Sequence, residues 1–296
     1  MILLNNILKN LNVIQVIGDS NIEIHDVIPL DENNKQRGTI SWCSDKNINI
    51  LDKINYGVII CSDKRVHEVK DSCTYIMVEN PRFEFAKVLK MFKESSDNQS
   101  ILYSDWRLDP SIKLGKDVRV GHNVVIENNC IIGDKSVIGH NTVIHYGTII
   151  GEGAVIGSNC TIGGIGFGYE KNEKEEYTAL THIGNVKIGN GVEIGNNTCI
   201  DRAVLGSTII KDNVKIDNLV HIAHGVVIGR NSLIIANSMI AGSVEIGANC
   251  WISPSVSIKN KLFVGENTLI GMGAVVLKNV DSNQVIIGNP GKVLNK

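Results

Sequence analysis

The feature that most constrains this chain is an aliphatic residue that recurs every six positions over its last two thirds. The first run comprises Leu114, Val120, Ile126, Ile132, Ile138, Ile144, Ile150, Ile156 and Ile162, and a second run continues without exception from Ile210 to Val276 after a shift of phase near Val204. A slim residue, such as Cys130 or Ser136, follows four positions after the aliphatic one. An α-helix repeats at 3.6 residues and an exposed strand at 2, so neither explains a period of six.

A triangular coil explains this period, with one hexapeptide on each face and the aliphatic and slim side chains pointing inward. Glycine, which often follows the aliphatic residue, gives the corner backbone its freedom. Three faces make a coil of 18 residues, and about eight coils stack at about 4.8 Å. The pattern predicts a mainly β fold, a left-handed parallel β-helix over residues 101–296, with a polar and aromatic loop projecting at 163–182.

Residues 1–100 lack the sixfold pattern and predict a separate, small α/β domain. Residues 55–62 and 73–80 are typical of short strands, and 81–95 has helical apolar spacing that begins with a proline. The polar segment 95–100 is the predicted linker.

Composition narrows the possible partners and the compartment. The formal net charge is −2 and no basic stripe occurs, which argues against a nucleic-acid partner. No run of about 20 apolar residues is present, so we expect no integral membrane segment. The seven cysteines are scattered without a CxxC pair, which favours neither disulfides nor a metal site and fits a reducing cytoplasm. Three of them, Cys130, Cys160 and Cys250, occupy inward positions as small apolar residues.

His224 is the strongest candidate for a catalytic residue. It lies two places after the inward Ile222 and is therefore predicted to face outward. One coil later, 18 residues on, comes Gly242, whose backbone N–H would lie beside the imidazole; one hexapeptide earlier comes Asn218, next to Asp217. A base, an N–H donor and polar orienting groups are what acyl transfer requires.

The surrounding motifs resemble one family closely. The stretch GFGY, CIDRAVLGSTIIKDNVKIDNLVHIAHGVVIG and IAGSVEIG is similar to the UDP-3-O-acylglucosamine N-acyltransferases (LpxD), within the hexapeptide-repeat acyltransferase superfamily. The resemblance implies a homotrimer, His224 as general base and the Gly242 N–H as oxyanion donor. It also implies that Asn218 and Asp217 position the substrate or orient the histidine.

The resemblance extends into the first domain and to the loop. GTISW and VENPRFEFAKVL are similar to the family's uridine-binding domain, which implies that Trp42 contacts the base of the nucleotide. Phe167 and Tyr169 either pack on the acceptor sugar or anchor the loop. His221 is a candidate substrate contact, with a structural role as the alternative.

Three departures from the family bear on the substrates. Lys261 stands where the family usually has a second histidine, and Trp42 lacks a second aromatic partner, which admits thymine in place of uracil. The ending NPGKVL is similar to that of coenzyme A-dependent acetyltransferases, which implies an acyl-CoA co-substrate. Its expected contacts are Gly271, Lys278 and Lys292.

Two enzyme hypotheses and one from another class follow. The first is transfer of a short or 3-hydroxyacyl group from acyl-CoA to the amine of a dTDP- or UDP-linked amino sugar for a surface polysaccharide. The second is the N-acylation step of lipid A synthesis, with a long chain from acyl carrier protein. The third is a silent trimeric scaffold or a zinc carbonic anhydrase-like protein, which would need three metal-binding histidines; we expect no metal.

Overall fold

The computed structural model describes residues 1–30, 37–62, 70, 72–96, 110–171 and 173–294. The chain forms two compact units, Met1–Ser100 and Ile101–Lys296. Most of the predicted linker, residues 97–100, lies outside the described residues.

The first unit is built on a mixed sheet of five strands. In spatial order these are Val13–Ile17, Cys73–Val78, Gly57–Cys61, Thr39–Trp42 and Asp26–Val27, with the first antiparallel to its neighbour and the rest parallel. The remaining elements are the strand pair Ile2–Leu3 and Glu23–Ile24, the helices Leu4–Leu8 and Pro81–Ser96, and the 3₁₀ helix Asp45–Lys53. The two strands and the long helix predicted from the sequence are confirmed.

The second unit is a left-handed parallel β-helix whose two-to-four-residue strands stack into three sheets. Face 1 contains Lys113–Leu114, Ile131–Ile132, Ile149–Ile150, Asn185–Ile188, Ser207–Ile210, Val227–Ile228, Glu245–Ile246 and Phe263–Val264. Face 2 contains Arg119–Val120, Val137–Ile138, Val155–Ile156, Glu193–Ile194, Lys215–Ile216, Leu233–Ile234, Trp251–Ile252, Leu269–Ile270, Val285–Ile287 and Lys292–Val293. Face 3 contains Val125–Ile126, Val143–Ile144, Thr161–Gly164, Cys199–Asp201, His221–Ile222, Met239–Ile240, Ser257–Ile258 and Val275–Val276.

The chain winds from face 1 to face 2 to face 3, so the turns form three columns, which we call corner 1–2, corner 2–3 and corner 3–1. The second residue of most strands is buried in a single continuous core, as the sixfold pattern predicts. Cys130, Cys160 and Cys250 are buried in the same core, and burial raises the pKa of each thiol. These thiols stay protonated at neutral pH and fill space.

The role of glycine at the corners differs from the one predicted. Left-handed backbone occurs three residues after the inward aliphatic, at asparagines such as Asn141 and Asn159 and at glycines such as Gly153. The glycine that follows the aliphatic residue is needed because the next coil is too close for a side chain. A Cβ on Gly139, for example, would lie 2.5 Å from the backbone carbon of Gly157.

Two insertions interrupt the 18-residue spacing. Ser158 bonds to Asn196 across 38 positions, because the loop at 163–182 is inserted between their coils. Asn196 bonds to Asn218 across 22 positions, which accounts for the shift of phase near Val204. Within the loop, Tyr169–Lys171 and Tyr177–Ala179 form an exposed antiparallel hairpin.

Candidate active site

His224 lies at corner 3–1, where the chain turns after the strand His221–Ile222. Gly242 occupies the equivalent place in the next coil, because Ile222 pairs with Ile240. A Cβ on Gly242 would lie 2.7 Å from both Nε2 and Cε1 of His224, so the imidazole rests directly on this glycine. The structure thus brings together the two residues that the 18-residue spacing predicted.

Gly242 is buried against the His224 imidazole, and its backbone N–H differs from those of its neighbours. Its neighbours are engaged, since Ala241 N–H donates to Ile258 O and Ser243 N–H donates to His224 O. Across the described residues, the N–H of Gly242 itself has no hydrogen-bond acceptor. An unpaired donor beside a base can stabilise an oxyanion that forms there.

The surroundings of His224 favour its neutral form. The side chain is half-buried, and desolvation lowers its pKa below the usual 6.5, with the charge of His182 acting in the same direction. A neutral imidazole at physiological pH can accept a proton.

The lowered pKa predicts a specific pH dependence of catalysis. A general base at His224 would act only when unprotonated, so kcat/KM is expected to exceed half of its plateau at pH 6.5 and to fall, finally tenfold per pH unit, in more acidic solution. A pH series of kcat/KM on the wild-type enzyme measures this limb. A half-maximal value above pH 6.5 would show that another group controls the acidic limb.

A second histidine, His182 at the end of the loop, packs against His224. The ring centroids are 5.4 Å apart and the planes cross at 74°. Gly166 of the loop fits between them, because a Cβ there would lie 2.8 Å from His182 Nε2 and 2.9 Å from His224 Cβ. The sequence analysis missed this contact, since the two histidines are separated by the loop and by the shift of phase.

Asp201 is a further polar residue that the sequence analysis missed. Its Oδ2 lies 3.7 Å from Nε2 of His221, one coil away on face 3. Burial raises the pKa of this carboxyl group, while the charges of His221 and His182 oppose the rise. Counting 22 rather than 18 residues back from Ala223 would have found it.

Arg202 fastens the start of the loop to the coil. Its Nε donates to Gly163 O at 2.6 Å, its backbone N–H donates to Gly164 O at 2.9 Å, and its guanidinium also reaches Tyr146 O at 3.2 Å. These hydrogen bonds hold the first residues of the loop against the coil that contains Arg202.

The loop and corner 3–1 enclose an open, mainly apolar pocket of about 700 Å³. Its lining comprises Phe167, Gly168, Tyr169, Glu170, Tyr177, Leu180, Val204 and His224. The ring of Phe167 packs against that of Tyr169 at a tilt of 58°, with centroids 4.9 Å apart, yet Phe167 is 85% exposed, so both interpretations from the sequence stay open.

Asn218 and Asp217 lie at corner 2–3, a different corner from His224. Asn218 donates to Asp217 Oδ1 at 3.0 Å and accepts from the backbone N–H of Asn196, so both continue a ladder of polar side chains. Within one chain the structure does not bring them to His224, and their catalytic and substrate roles stay predictions.

The expected coenzyme A contacts are dispersed. Gly271 lies at corner 2–3 against Ile286 and Ile287, Lys292 is on the last strand of face 2, and Lys278 is exposed at corner 3–1. Only Lys278 shares a corner with His224.

Trp42 ends a strand of the first unit. Its ring packs against Phe85, with centroids 6.4 Å apart, and remains partly exposed. Its proposed contact with a nucleotide base stays a prediction.

Across the described ranges, no group of three or more His, Cys, Asp or Glu side chains is arranged to hold a metal ion. The helices among these residues are too short or too polar to cross a membrane.

Comparison with known proteins identifies the family of the chain. Residues 111–146, 131–164 and 207–242 match the family described as bacterial transferase hexapeptide (six repeats). A UDP-3-O-acylglucosamine N-acyltransferase of Campylobacter lari is 42% identical over 87% of this chain and 84% of that relative. A protein of the same name from Sulfurimonas denitrificans, designated 1, is 43% identical over 80% of this chain and 78% of the relative.

A solved structure shares the architecture. LpxA, a UDP-N-acetylglucosamine acyltransferase from Bacteroides fragilis, has a TM-score of 0.59 and 28% identity, covering 65% of this chain and 74% of that one. These comparisons favour the second enzyme hypothesis, the lipid A step, over the first. The chain belongs to the family of UDP-3-O-acylglucosamine N-acyltransferases, which are acyltransferases built on hexapeptide repeats.

Proposed function

We propose that this enzyme transfers a 3-hydroxyacyl group from a thioester of acyl carrier protein to the amine of UDP-3-O-acylglucosamine. The observation that carries the proposal is the imidazole of His224 resting on Gly242, whose N–H is unpaired, in a chain 42% identical to a relative of that name.

The proposed mechanism uses His224 first as a base and then as an acid. Its Nε2 removes a proton from the sugar amine as the nitrogen attacks the thioester carbonyl. The Gly242 N–H donates to the resulting oxyanion, a contribution of about 3 kcal/mol in comparable sites. When the carbon–sulfur bond breaks, His224 returns the proton to the thiol, so the products are an amide and a free thiol.

Three lysines favour binding of the donor's phosphopantetheine arm along corner 3–1. Lys259, Lys261 and Lys278 are exposed in the two coils that follow Gly242. Lys278 is three coils from His224, about 14 Å at the spacing of stacked strands. A phosphate bound by these amines would leave the thioester within reach of His224. This arrangement suits both a carrier protein and coenzyme A.

The apolar pocket beside His224 favours a donor with a long acyl chain. Phe167, Tyr169 and Leu180 offer surface that a short acetyl group would leave exposed to water. Burial of each methylene group contributes about 0.8 kcal/mol, so a long chain gains more from this pocket than a short one.

We further propose a cytoplasmic homotrimer that binds uridine through its first unit, with Trp42 against the base. Trp251 on face 2 is 48% exposed and Met239 on face 3 is 40% exposed, which leaves apolar surface for subunit contact. Because Asn218 and Asp217 lie at another corner than His224, a shared site for these residues requires a second subunit.

The donor is tested by comparing kcat/KM for thioesters with UDP-3-O-acylglucosamine as acceptor. Long 3-hydroxyacyl carrier protein is expected to exceed 3-hydroxybutyryl-CoA and acetyl-CoA by at least about 100-fold, which equals about 2.7 kcal/mol. Release of free thiol measures the rate. Preference for a short acyl-CoA, together with turnover of a dTDP-linked amino sugar, would establish the first hypothesis instead.

A further inference from the structure

His182 carries a buried nitrogen that has no hydrogen-bond partner among the described residues. The residue is only 6% exposed. Its Nδ1 lies 2.8 Å from Leu180 O and therefore donates, because a carbonyl oxygen only accepts. In the neutral ring this leaves a lone pair on Nε2, which is the unpartnered atom. Buried acceptors without a partner are uncommon in proteins, and each calls for an explanation.

The unpartnered nitrogen faces the general base. Nε2 of His182 and Cβ of His224 both approach the point where a Cβ on Gly166 would lie, at 2.8 Å and 2.9 Å. The imidazole atoms of His224 nearest to Gly242 are Nε2, Cε1 and Cδ2, so Nδ1 lies farther from that glycine. The Nε2 of His224 is thus at Gly242, and the ring of His182 packs against the same imidazole with the centroids 5.4 Å apart.

We propose that His182 is a positioning residue that accepts the Nδ1–H of His224 at its Nε2 and thereby keeps the reacting Nε2 of His224 unprotonated. A small change in the side-chain torsion of His224 closes the bond, as catalytic hydrogen bonds are often open in the free enzyme. The role rests on the proposed function of His224 as general base. It matters because an isolated neutral imidazole in water prefers the proton on Nε2, which is the wrong tautomer for the reaction.

The other titratable groups near this pair are Asp201 and His221. The charge of His182 acts on Asp201, and His221 lies 3.7 Å from the same carboxylate. Leu180 O and Gly166 complete the surroundings of His182 and carry no charge. Asp201 therefore interacts electrostatically with both His221 and His182, while the ring of His182 also packs against that of His224.

A matched pair of substitutions at His182 separates the effect of its hydrogen-bond acceptor from the effect of filling the space. Both His182→Gln and His182→Leu fill the space, but only glutamine offers an acceptor. We expect His182→Gln to keep kcat within about threefold of wild type, and His182→Leu to lower kcat at least 10-fold with little change in the KM of either substrate. Equal losses in both variants, or none in either, would overturn the proposal.

A second measurement does not depend on turnover. ¹⁵N NMR of histidine-labelled protein reports the tautomer of each ring, and a His224→Gln sample assigns the signal of His224. Wild type and His182→Gln are expected to hold His224 as the Nδ1–H tautomer, and His182→Leu to shift it to Nε2–H. An unchanged tautomer in an active enzyme would refute the role of His182 alone, whereas the expected shift in an enzyme that does not acylate the sugar would refute only the proposed function.

Discussion

His224→Ala is expected to lower kcat by about 1,000-fold, within the range for loss of a positioned general base. The pKa of His224 is lowered by burial and by the charge of His182, so the ring is neutral and ready to accept the amine proton. Methyl in place of imidazole removes the base but leaves Gly242 and the pocket in place. The measurement is single-turnover amide formation at saturating substrates.

His140→Ala is the matched control for this variant. His140 lies at corner 2–3, where its ring stacks on His122 at 5.1 Å, away from corner 3–1. We expect kcat within about twofold of wild type for this change. More than a tenth of wild-type kcat in His224→Ala, with its oligomeric state preserved, would show that another group removes the proton.

Gly242→Ala is expected to reduce kcat by about 100-fold. The added methyl group would lie 2.7 Å from Nε2 of His224, closer than ordinary van der Waals contact, so the ring must move. Displacement of a catalytic group by about 1 Å can cost a factor of that size. The substitution leaves the backbone N–H in place, so the expected loss comes from the misplaced base.

The control for this variant is Gly153→Ala at corner 1–2. Nothing lies within 4 Å of a Cβ at Gly153, although its φ of +62° makes alanine mildly strained. It is expected to lower the melting temperature slightly and to leave kcat unchanged. If Gly242→Ala retained full activity, the close packing of imidazole on glycine would have no catalytic importance.

The sixfold pattern predicted the architecture because each hexapeptide makes the same contacts with the coils on either side. Ile222 pairs with Ile240 as the sequence spacing requires, and this register alone places His224 on Gly242. A local repeat therefore determined a contact between residues 18 positions apart.

The sixfold spacing could not predict the contacts between the loop and His224, and the reason is physical. Residues within 163–182 leave the coil, so no fixed spacing relates His182 to His224. The shift of phase near Val204 likewise moves Asp201 out of the 18-residue series, and its pairing at 22 positions became evident only from the strand register. The length of each insertion in a repeat must be known before the spacing predicts which side chains lie in adjacent coils.

Glycine at the corners was predicted for a reason that proved wrong. Backbone freedom was expected at the glycine directly after each aliphatic residue, but positive φ occurs two positions later, at asparagines such as Asn141 and at glycines such as Gly153. Glycine is required because the coils approach closely, as Gly139 does Gly157. Glycine in the sequence correctly marked the corners, but the distances between coils were needed to explain why glycine is required there.

The most direct test of the central claim is identification of the reaction product. Purified enzyme is incubated with UDP-3-O-acylglucosamine and a long 3-hydroxyacyl carrier protein, and the sugar is analysed by tandem mass spectrometry. The account predicts that one 3-hydroxyacyl group is added as an amide on the glucosamine nitrogen and that His224→Ala does not form this product. An unmodified sugar, or an acyl group attached as a new ester, would contradict it.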